Sequence, residues 1–443
     1  MTEKTYWNQE LETMPADKLR ELETKALQDQ LAYVYRESPF YRQKFDEKGV
    51  HPDDLKSRED LQRFPFTTKE DLRQTQESVG GLGGHQCAPM KDIIRIQGTS
   101  GTSGRPLLIG LTRSDVDLWN DMYARHAWTG GLRPDDVMIN PANFTLFVGG
   151  LSECSGAEHM GITVVPAPFV STGMEKFMEL VRDLKPTVLF STPSATAFIA
   201  AAVKEVLKVE PRELNFKKGF LAGEALSEEE RSNIEKTWGI VARNFYGLAD
   251  VGADIAAECG ASQGLHFCAQ GALVAEIVDP ETLAPLDIQD GVEGEIVFTT
   301  INRKATPVIR YRVRDMVRVY TGDCPCGRTG FRFHVIGRTD DMIKVKGVNV
   351  FPAAVKGIIQ DFAPATTGEM RIVLPHPGPS FGENITIKIE AGVGLKTEEQ
   401  DVVAKKIRST IREKLVFTPR IEWVPVDTFE KSQYKVEYFE RAY

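Results

Sequence analysis

Between Thr99 and Arg105 the chain sets four hydroxyls and two glycines in six residues, Thr99, Ser100, Gly101, Thr102, Ser103 and Gly104, and follows them with Arg105. A backbone so free of Cβ bulk can turn its N–H groups toward an anion, and the guanidinium adds a cation. The run therefore reads as a phosphate cradle suited to a nucleotide triphosphate. No G-x-x-x-x-G-K-[ST] is present, so a Walker A loop is excluded. A plain surface turn has the same composition, and the reading depends on what else the chain carries.

Further candidates follow in order. Gly223 and Glu224 stand between an apolar stretch and the acidic helix start Ser227–Glu230, a strand-to-helix turn able to face a ligand or simply to cap a helix. In Val241–Asp250, Tyr246 could cover a purine face and Asp250 could reach a magnesium ion, since hard cations take carboxylate oxygens together with phosphates. The run Thr306–Asp315 ends in an acid suited to ribose hydroxyls or to an ion pair with its arginines. Gly337–Phe351, with Asp340 and Asp341 close behind Arg338, reads as a hinge, and Lys435 lies in a polar terminal stretch. Cys259, His266, Cys324 and Cys326 give C-x6-H and C-x-C pairs, a Cys3His set suited to a closed structural zinc, with Cys268 as a competing fourth ligand and reduced cysteines as the plain alternative.

The elements that must position these residues are legible in outline. Leu19, Leu22, Leu27 and Leu31 share one face of a helix within an N-terminal helical cap, residues 1–75, and its aromatic cluster is expected to pack it on the main body. Thr67 or Thr68 can cap a helix with an acid three residues on. From about 90 to 300, short β-branched runs alternate with helical stretches, at 161–166, 174–184, 187–190 and 196–207. That alternation predicts layered, mostly parallel sheets with ligands at the carboxyl ends of the strands. The fold class is thus α/β, with a core over 76–338 and a small α+β domain over 339–443.

Composition narrows the classes. At 443 residues more than one domain is expected, and 42% hydrophobic with 26% charged residues is ordinary for a globular protein. A formal net charge of −9, with no basic stripe, argues against nucleic acid as a partner. The N-terminus lacks an apolar signal-peptide core and no apolar run is long enough to span a bilayer, so a cytoplasmic protein without a membrane partner is expected.

Taken together, the Ser/Thr/Gly loop, the Gly-Glu turn, Tyr-Gly-Leu-x-acid, Tyr-Arg-x-x-Asp, Gly-Arg-x-Asp-Asp and a terminal lysine resemble the adenylate-forming acyl-CoA synthetases over nearly the whole chain. More narrowly the chain resembles their phenylacetate-CoA ligase branch, through Ser38–Arg42, Gly49–Asp54, Phe64–Leu72, Phe147–Leu151 and Gly347–Pro352. The resemblance implies two half-reactions: a carboxylate attacks the α-phosphate of MgATP to give an acyl-adenylate and pyrophosphate, and a thiol, normally that of coenzyme A, then takes the acyl group. It assigns Thr99 to Arg105 to the β- and γ-phosphates, Gly223, Glu224 and Tyr246 to the adenine, and Ala225, Asn244, Phe245 and Gly247 to the ATP site. Asp250 goes to magnesium, Asp315 and Arg338 to the ribose. Asp340 is then the hinge of a mobile small domain, and Lys435 bridges carboxylate and α-phosphate before withdrawing. Asn143, Phe144, Phe147, Gly149 and Gly150 fall to the acyl pocket.

Two departures stand out. Asp250 replaces the usual Glu and Arg105 the usual Lys, and Asn140–Phe144 with Cys154 and Ser155 replaces an aromatic and histidine pattern. The resemblance also implies a homodimer. It leaves open a non-CoA acceptor, whether a deazaflavin receiving AMP or a carrier protein, and a non-catalytic nucleotide-binding relative.

Overall fold

Five strands that alternate with helices line up as parallel neighbours, in the order Thr163–Pro166, Val137–Asn140, Val188–Ser191, Lys218–Ala222 and Val241–Tyr246. Val188–Ser191 is buried throughout, as a parallel strand covered on both faces must be. The structure, a computed structural model, describes residues 4–99, 106–429 and 437–443. Among them, further strands extend the same sheet to twelve, beginning with Ala256–Glu258 and Leu265–Phe267, which pair antiparallel. These later strands need no crossover helix, so the alternation that reveals the parallel part is missing from them.

The N-terminal helices Ala16–Glu37 and Pro39–Lys48 bury Leu27, Leu31, Val34, Tyr41 and Phe45 in one core with Val274, Ile301 and Ile309. Tyr41 is held there by its hydroxyl, which accepts from the Ile309 N–H at 3.1 Å. Of the two candidate caps, Thr68 closes the capping box: its Oγ1 accepts from Asp71 N at 3.2 Å and the Asp71 carboxylate accepts from Thr68 N at 2.9 Å.

The chain divides into two compact units. One takes Met1–Glu224, Ile234–Val313 and Val317–His334; the other takes Ala225–Asn233, Arg314–Met316 and Val335–Tyr443. The second contains a four-stranded sheet ordered Arg420–Val424, Thr386–Ala391, Thr366–Leu374, Phe439–Arg441, with the helices Pro352–Gln360 and Thr397–Leu415. Its core gathers Val355, Ile359, Ile372, Ile387, Ile407 and Ile411, an α+β arrangement. No helix among the described residues is long and apolar enough to cross a membrane.

Candidate active site

In the first unit the candidate residues collect where the parallel strands end. Asn140, the last residue of its strand, is fully buried and donates Nδ2 to the carbonyls of Gly149 at 2.9 Å and Gly150 at 3.4 Å. That amide fixes the start of the Val148–His159 helix against the strand. A Cβ at Gly150 would lie 2.4 Å from the Asn143 carbonyl oxygen, so that position requires glycine, whereas one at Gly149 would lie 2.6 Å from the Phe147 ring, an exposed side chain that would have to shift. Phe144 and Phe147 stand 39% and 42% exposed beside them, leaving aromatic surface for a ligand. The strand Ile93–Gly98 that leads into the hydroxyl loop is tied to the same helix: Gly98 N donates to Leu146 O at 2.7 Å and Ser152 Oγ donates to Gln97 Oε1 at 2.7 Å. Thr99 is buried, and among the described residues its hydroxyl has no hydrogen-bond partner, a feature suited to a ligand oxygen. Ser100, Gly101, Thr102, Ser103, Gly104 and Arg105 lie outside the described residues.

Gly223 adopts φ +81° at the end of Lys218–Ala222, and Glu224 turns back to the neighbouring strand end. Its carboxylate accepts from Ser194 N at 2.9 Å and from Ser194 Oγ at 2.6 Å, at the first turn of the Pro193–Ala202 helix. Ser194 was not a candidate from sequence, because nothing local links it to a residue thirty positions away. Ala225 follows, exposed. On Val241–Tyr246, Asn244 N donates to Glu258 at 2.8 Å. Phe245 points into the core, stacked on Phe220 at 4.1 Å and edge-on to His126 at 4.4 Å, so its ring is committed to packing. Tyr246 meets Phe333 edge-on at 5.4 Å. Gly247 admits no side chain, since a Cβ there would fall 1.4 Å from Ala253 O.

Asp250 is buried, with Lys69 Nζ at 4.0 Å from its Oδ2. Burial, followed by the Asp250 charge, pushes the Tyr311 hydroxyl well above its ordinary pKa. A buried carboxylate flanked by an ammonium and a phenol suits a single protein ligand to magnesium, the remaining ligands being phosphate and water oxygens. Lys69 escaped the sequence reading because its stretch was explained as a helix cap.

In the second unit Arg338 gathers three acids. Its Nη1 donates to Asp315 Oδ1 at 2.7 Å, and Nε and Nη2 fork onto Asp340 at 2.9 and 3.0 Å, with Asp341 at 4.0 Å. Burial opposes the charge, yet Asp340 and Asp315 hold the Arg338 pKa above its ordinary value. The two residues expected at the ribose, Asp315 and Arg338, are thus ion-paired with each other. Lys435 lies outside the described residues.

Cys259, His266, Cys324 and Cys326 converge in the first unit, with their ligand atoms all within 4.8 Å of one another. Cys259 Sγ is 3.6 Å from Cys324 Sγ and Cys326 Sγ is 3.5 Å from His266 Nε2. These are about the separations expected across the edges of a tetrahedron with Zn–S near ~2.3 Å and Zn–N near ~2.0 Å. The hydrogen bond between Cys259 and Cys326 drives the first thiol up and the second down, and His266 lowers Cys326 further. The four residues fit zinc. Cys268 faces elsewhere, toward the His266 carbonyl at 3.2 Å and the Thr129 hydroxyl at 3.7 Å, and it is His266 that stands with the other three cysteines.

Residues 15–302 match the AMP-binding enzyme family and residues 347–440 its C-terminal domain, the AMP-binding enzyme C-terminal domain. A phenylacetate-coenzyme A ligase of Thermus thermophilus is 37% identical over 79% of this chain and 77% of its own length. One from Aromatoleum evansii is 35% identical over 91% of this chain and 89% of its own. Among solved structures, 2-hydroxyisobutyryl-CoA ligase in the postadenylation state with 2-HIB-AMP superposes with a TM-score of 0.90 at 26% identity, covering all of this chain and 93% of that one. The ordered motifs, the strand-end geometry and these likenesses agree: the chain belongs to the AMP-binding enzyme family, in its phenylacetate-CoA ligase branch.

Proposed function

We propose that the protein is an AMP-forming acid–CoA ligase that activates an aromatic, phenylacetate-like carboxylic acid with ATP. The observation that carries this reading is the placement of Asn143–Gly150, Gly223–Glu224 and Tyr246–Asp250 after the ends of parallel strands of one sheet, together with a buried Thr99 hydroxyl that has no hydrogen-bond partner among the described residues. An acyl carboxylate oxygen attacks the α-phosphorus, pyrophosphate departs, and the thiolate of coenzyme A then attacks the acyl carbon and releases AMP. Both reactants of the first step are anions, so a cation between them offsets their repulsion and the charge that grows in the transition state; Lys435 is the residue proposed for it. Asp250 would hold magnesium, which neutralises phosphate charge when bound. The exposed rings of Phe144 and Phe147 support an aromatic acyl group, and the relatives named for phenylacetate support it further.

Three subsidiary readings belong to the same proposal. The Cys3His cluster holds a structural zinc, the protein works in the cytoplasm, and it assembles as a homodimer through its N-terminal helices. Sedimentation that finds only monomer would reject the last. The central test is acid-dependent ATP–pyrophosphate exchange over aryl-acetic, benzoic, indole-acetic and aliphatic acids. Exchange with an aryl acid, its loss in Lys435→Ala, and a thioester once coenzyme A is added are the expected results. An acyl-adenylate that accumulates and ignores coenzyme A would instead favour another acceptor.

A further inference from the structure

The four residues that fit zinc come from two places. Cys259 and His266 belong to the sheet, one directly after the strand Ala256–Glu258 and the other inside Leu265–Phe267, which pairs with it. Cys324 and Cys326 belong to the turn Cys324–Thr329, which is neither helix nor strand. A metal held by all four therefore fastens that turn to the sheet.

The turn, for its part, holds the beginning of the described chain. Tyr6 Oη donates to Cys326 O at 3.0 Å, and a Cβ on Gly327 would lie 2.5 Å from that same hydroxyl oxygen, so the ring is seated directly on the turn. The Arg328 guanidinium lies over the Tyr6 ring at 5.1 Å, and its Nε and Nη2 each stand 2.8 Å from Glu12 Oε2. Thr329 adds two bonds, from its N–H to Glu12 O at 3.0 Å and from its hydroxyl to Met14 O at 2.7 Å. Elsewhere the segment is held by Trp128 Nε1, which donates to the carbonyls of Lys4 and Thr5 at 3.2 Å, and by Trp7, which donates to Asp121 at 3.3 Å and packs on Trp128 at 5.8 Å. Glu12 is only 2% exposed. A buried ion pair repays its desolvation only in good geometry, so Glu12 gains from docking where Arg328 already stands in place.

We propose that the metal cluster is the lock of the N-terminal segment: zinc on Cys259, His266, Cys324 and Cys326 fixes the Cys324–Thr329 turn, and the fixed turn docks Lys4–Met14. This rests on the zinc reading above. Without the metal the turn loses its tie to the sheet, the Arg328–Glu12 pair loses its geometry, and the segment lets go while the sheet stays folded. Docking and metal binding then favour each other by one and the same factor.

The experiment is hydrogen–deuterium exchange on the full-length protein, loaded with one equivalent of zinc or stripped by a chelator. The amides of residues 4–14 are expected to exchange tenfold or more faster once zinc is removed, and to slow again with added zinc but not with magnesium. Those of the helix Ala16–Glu37, which packs in a core away from the cluster, should change by less than about twofold. Glu12→Gln should speed exchange in residues 4–14 with zinc still bound, and raise the zinc Kd about fivefold or more in competition with a chelator. Tyr6→Phe, which removes a single hydroxyl, serves if that variant does not fold and should move both readouts the same way. Unchanged protection of residues 4–14 in zinc-free protein, an equal loss throughout Ala16–Glu37, or full zinc affinity in both variants overturns the inference while the zinc reading stands. A protein that binds no zinc overturns both.

Discussion

Gly247 shows how little room the site leaves for change at one residue. A methyl group there would overlap the Ala253 carbonyl at 1.4 Å, and a backbone carbonyl cannot swing aside as a side chain can. Gly247→Ala should cut pyrophosphate exchange by tenfold or more, whereas Gly260→Ala, with nothing within 4 Å of its added carbon, should leave exchange near the wild-type rate. Equal rates in the two variants would remove Gly247 from the site. His85 sets a pH dependence at the same scale. It is 2% exposed, and burial, helped by the Arg303 charge, lowers its pKa to about 4. The unfolded chain takes up that proton at about 6.5, so the stabilisation is complete above about 6.5 and is lost as pH falls toward 4, at up to about 1.4 kcal/mol per pH unit. His85→Gln should flatten the fall in urea-denaturation midpoint between pH 7 and pH 5; an unchanged slope would refute the assignment. Motif residues such as Tyr246 and Asp250 were legible in sequence because their neighbours lie within a few positions. Lys69 and Ser194 were not, since each owes its meaning to a partner thirty to almost two hundred residues away.

The elements of the parallel sheet and of the C-terminal unit were read from sequence almost as they stand. Helix Met174–Leu184 has the bounds that the pattern gives it. Local periodicity suffices there, because each element buries one face against a contiguous core. The antiparallel strands after Tyr246 were largely illegible: Ala256–Glu258 and Leu265–Phe267 are three residues each, too short to show alternation. The cysteine cluster caps this poorly patterned region. Its turn is tight, with Gly327 at φ +76° and Gly327 N donating to Cys324 O at 2.9 Å, and Tyr6 donates to Cys326 O at 3.0 Å. Short strands with little core of their own gain most from a metal clip, since binding free energy is then folding free energy. Protein purified without chelator should contain about one equivalent of zinc, and its removal should lower the first melting transition by several degrees. Less than about half an equivalent, with the cluster thiols freely titratable, would refute the metal.

At the scale of the whole molecule, the sequence places a boundary at residues 338 and 339, and Val335–Tyr443 lies in the second compact unit. That this unit also takes in Ala225–Asn233 and Arg314–Met316 was not legible, because segments joined only in space leave no trace in local composition. The proposed hinge at Asp340 belongs to this scale. Here the Asp340 carboxylate is gripped by both arms of the Arg338 fork, at 2.9 and 3.0 Å. Two roles can be separated: the carboxylate as an ion-pair partner, and the backbone as a pivot. Asp340→Ala removes the first and leaves φ free, while Asp340→Pro locks φ near −65° and restricts Thr339 as well. A single orientation suffices for adenylation, and a pivot is needed only if the second half-reaction requires another. Asp340→Pro should therefore keep pyrophosphate exchange within about threefold of wild type yet slow thioester formation from preformed acyl-adenylate and coenzyme A by about a hundredfold. Asp340→Ala should impair both steps only mildly. Equal losses in both half-reactions of the proline variant would show that Asp340 serves the fold or the ribose, not the exchange between two catalytic orientations.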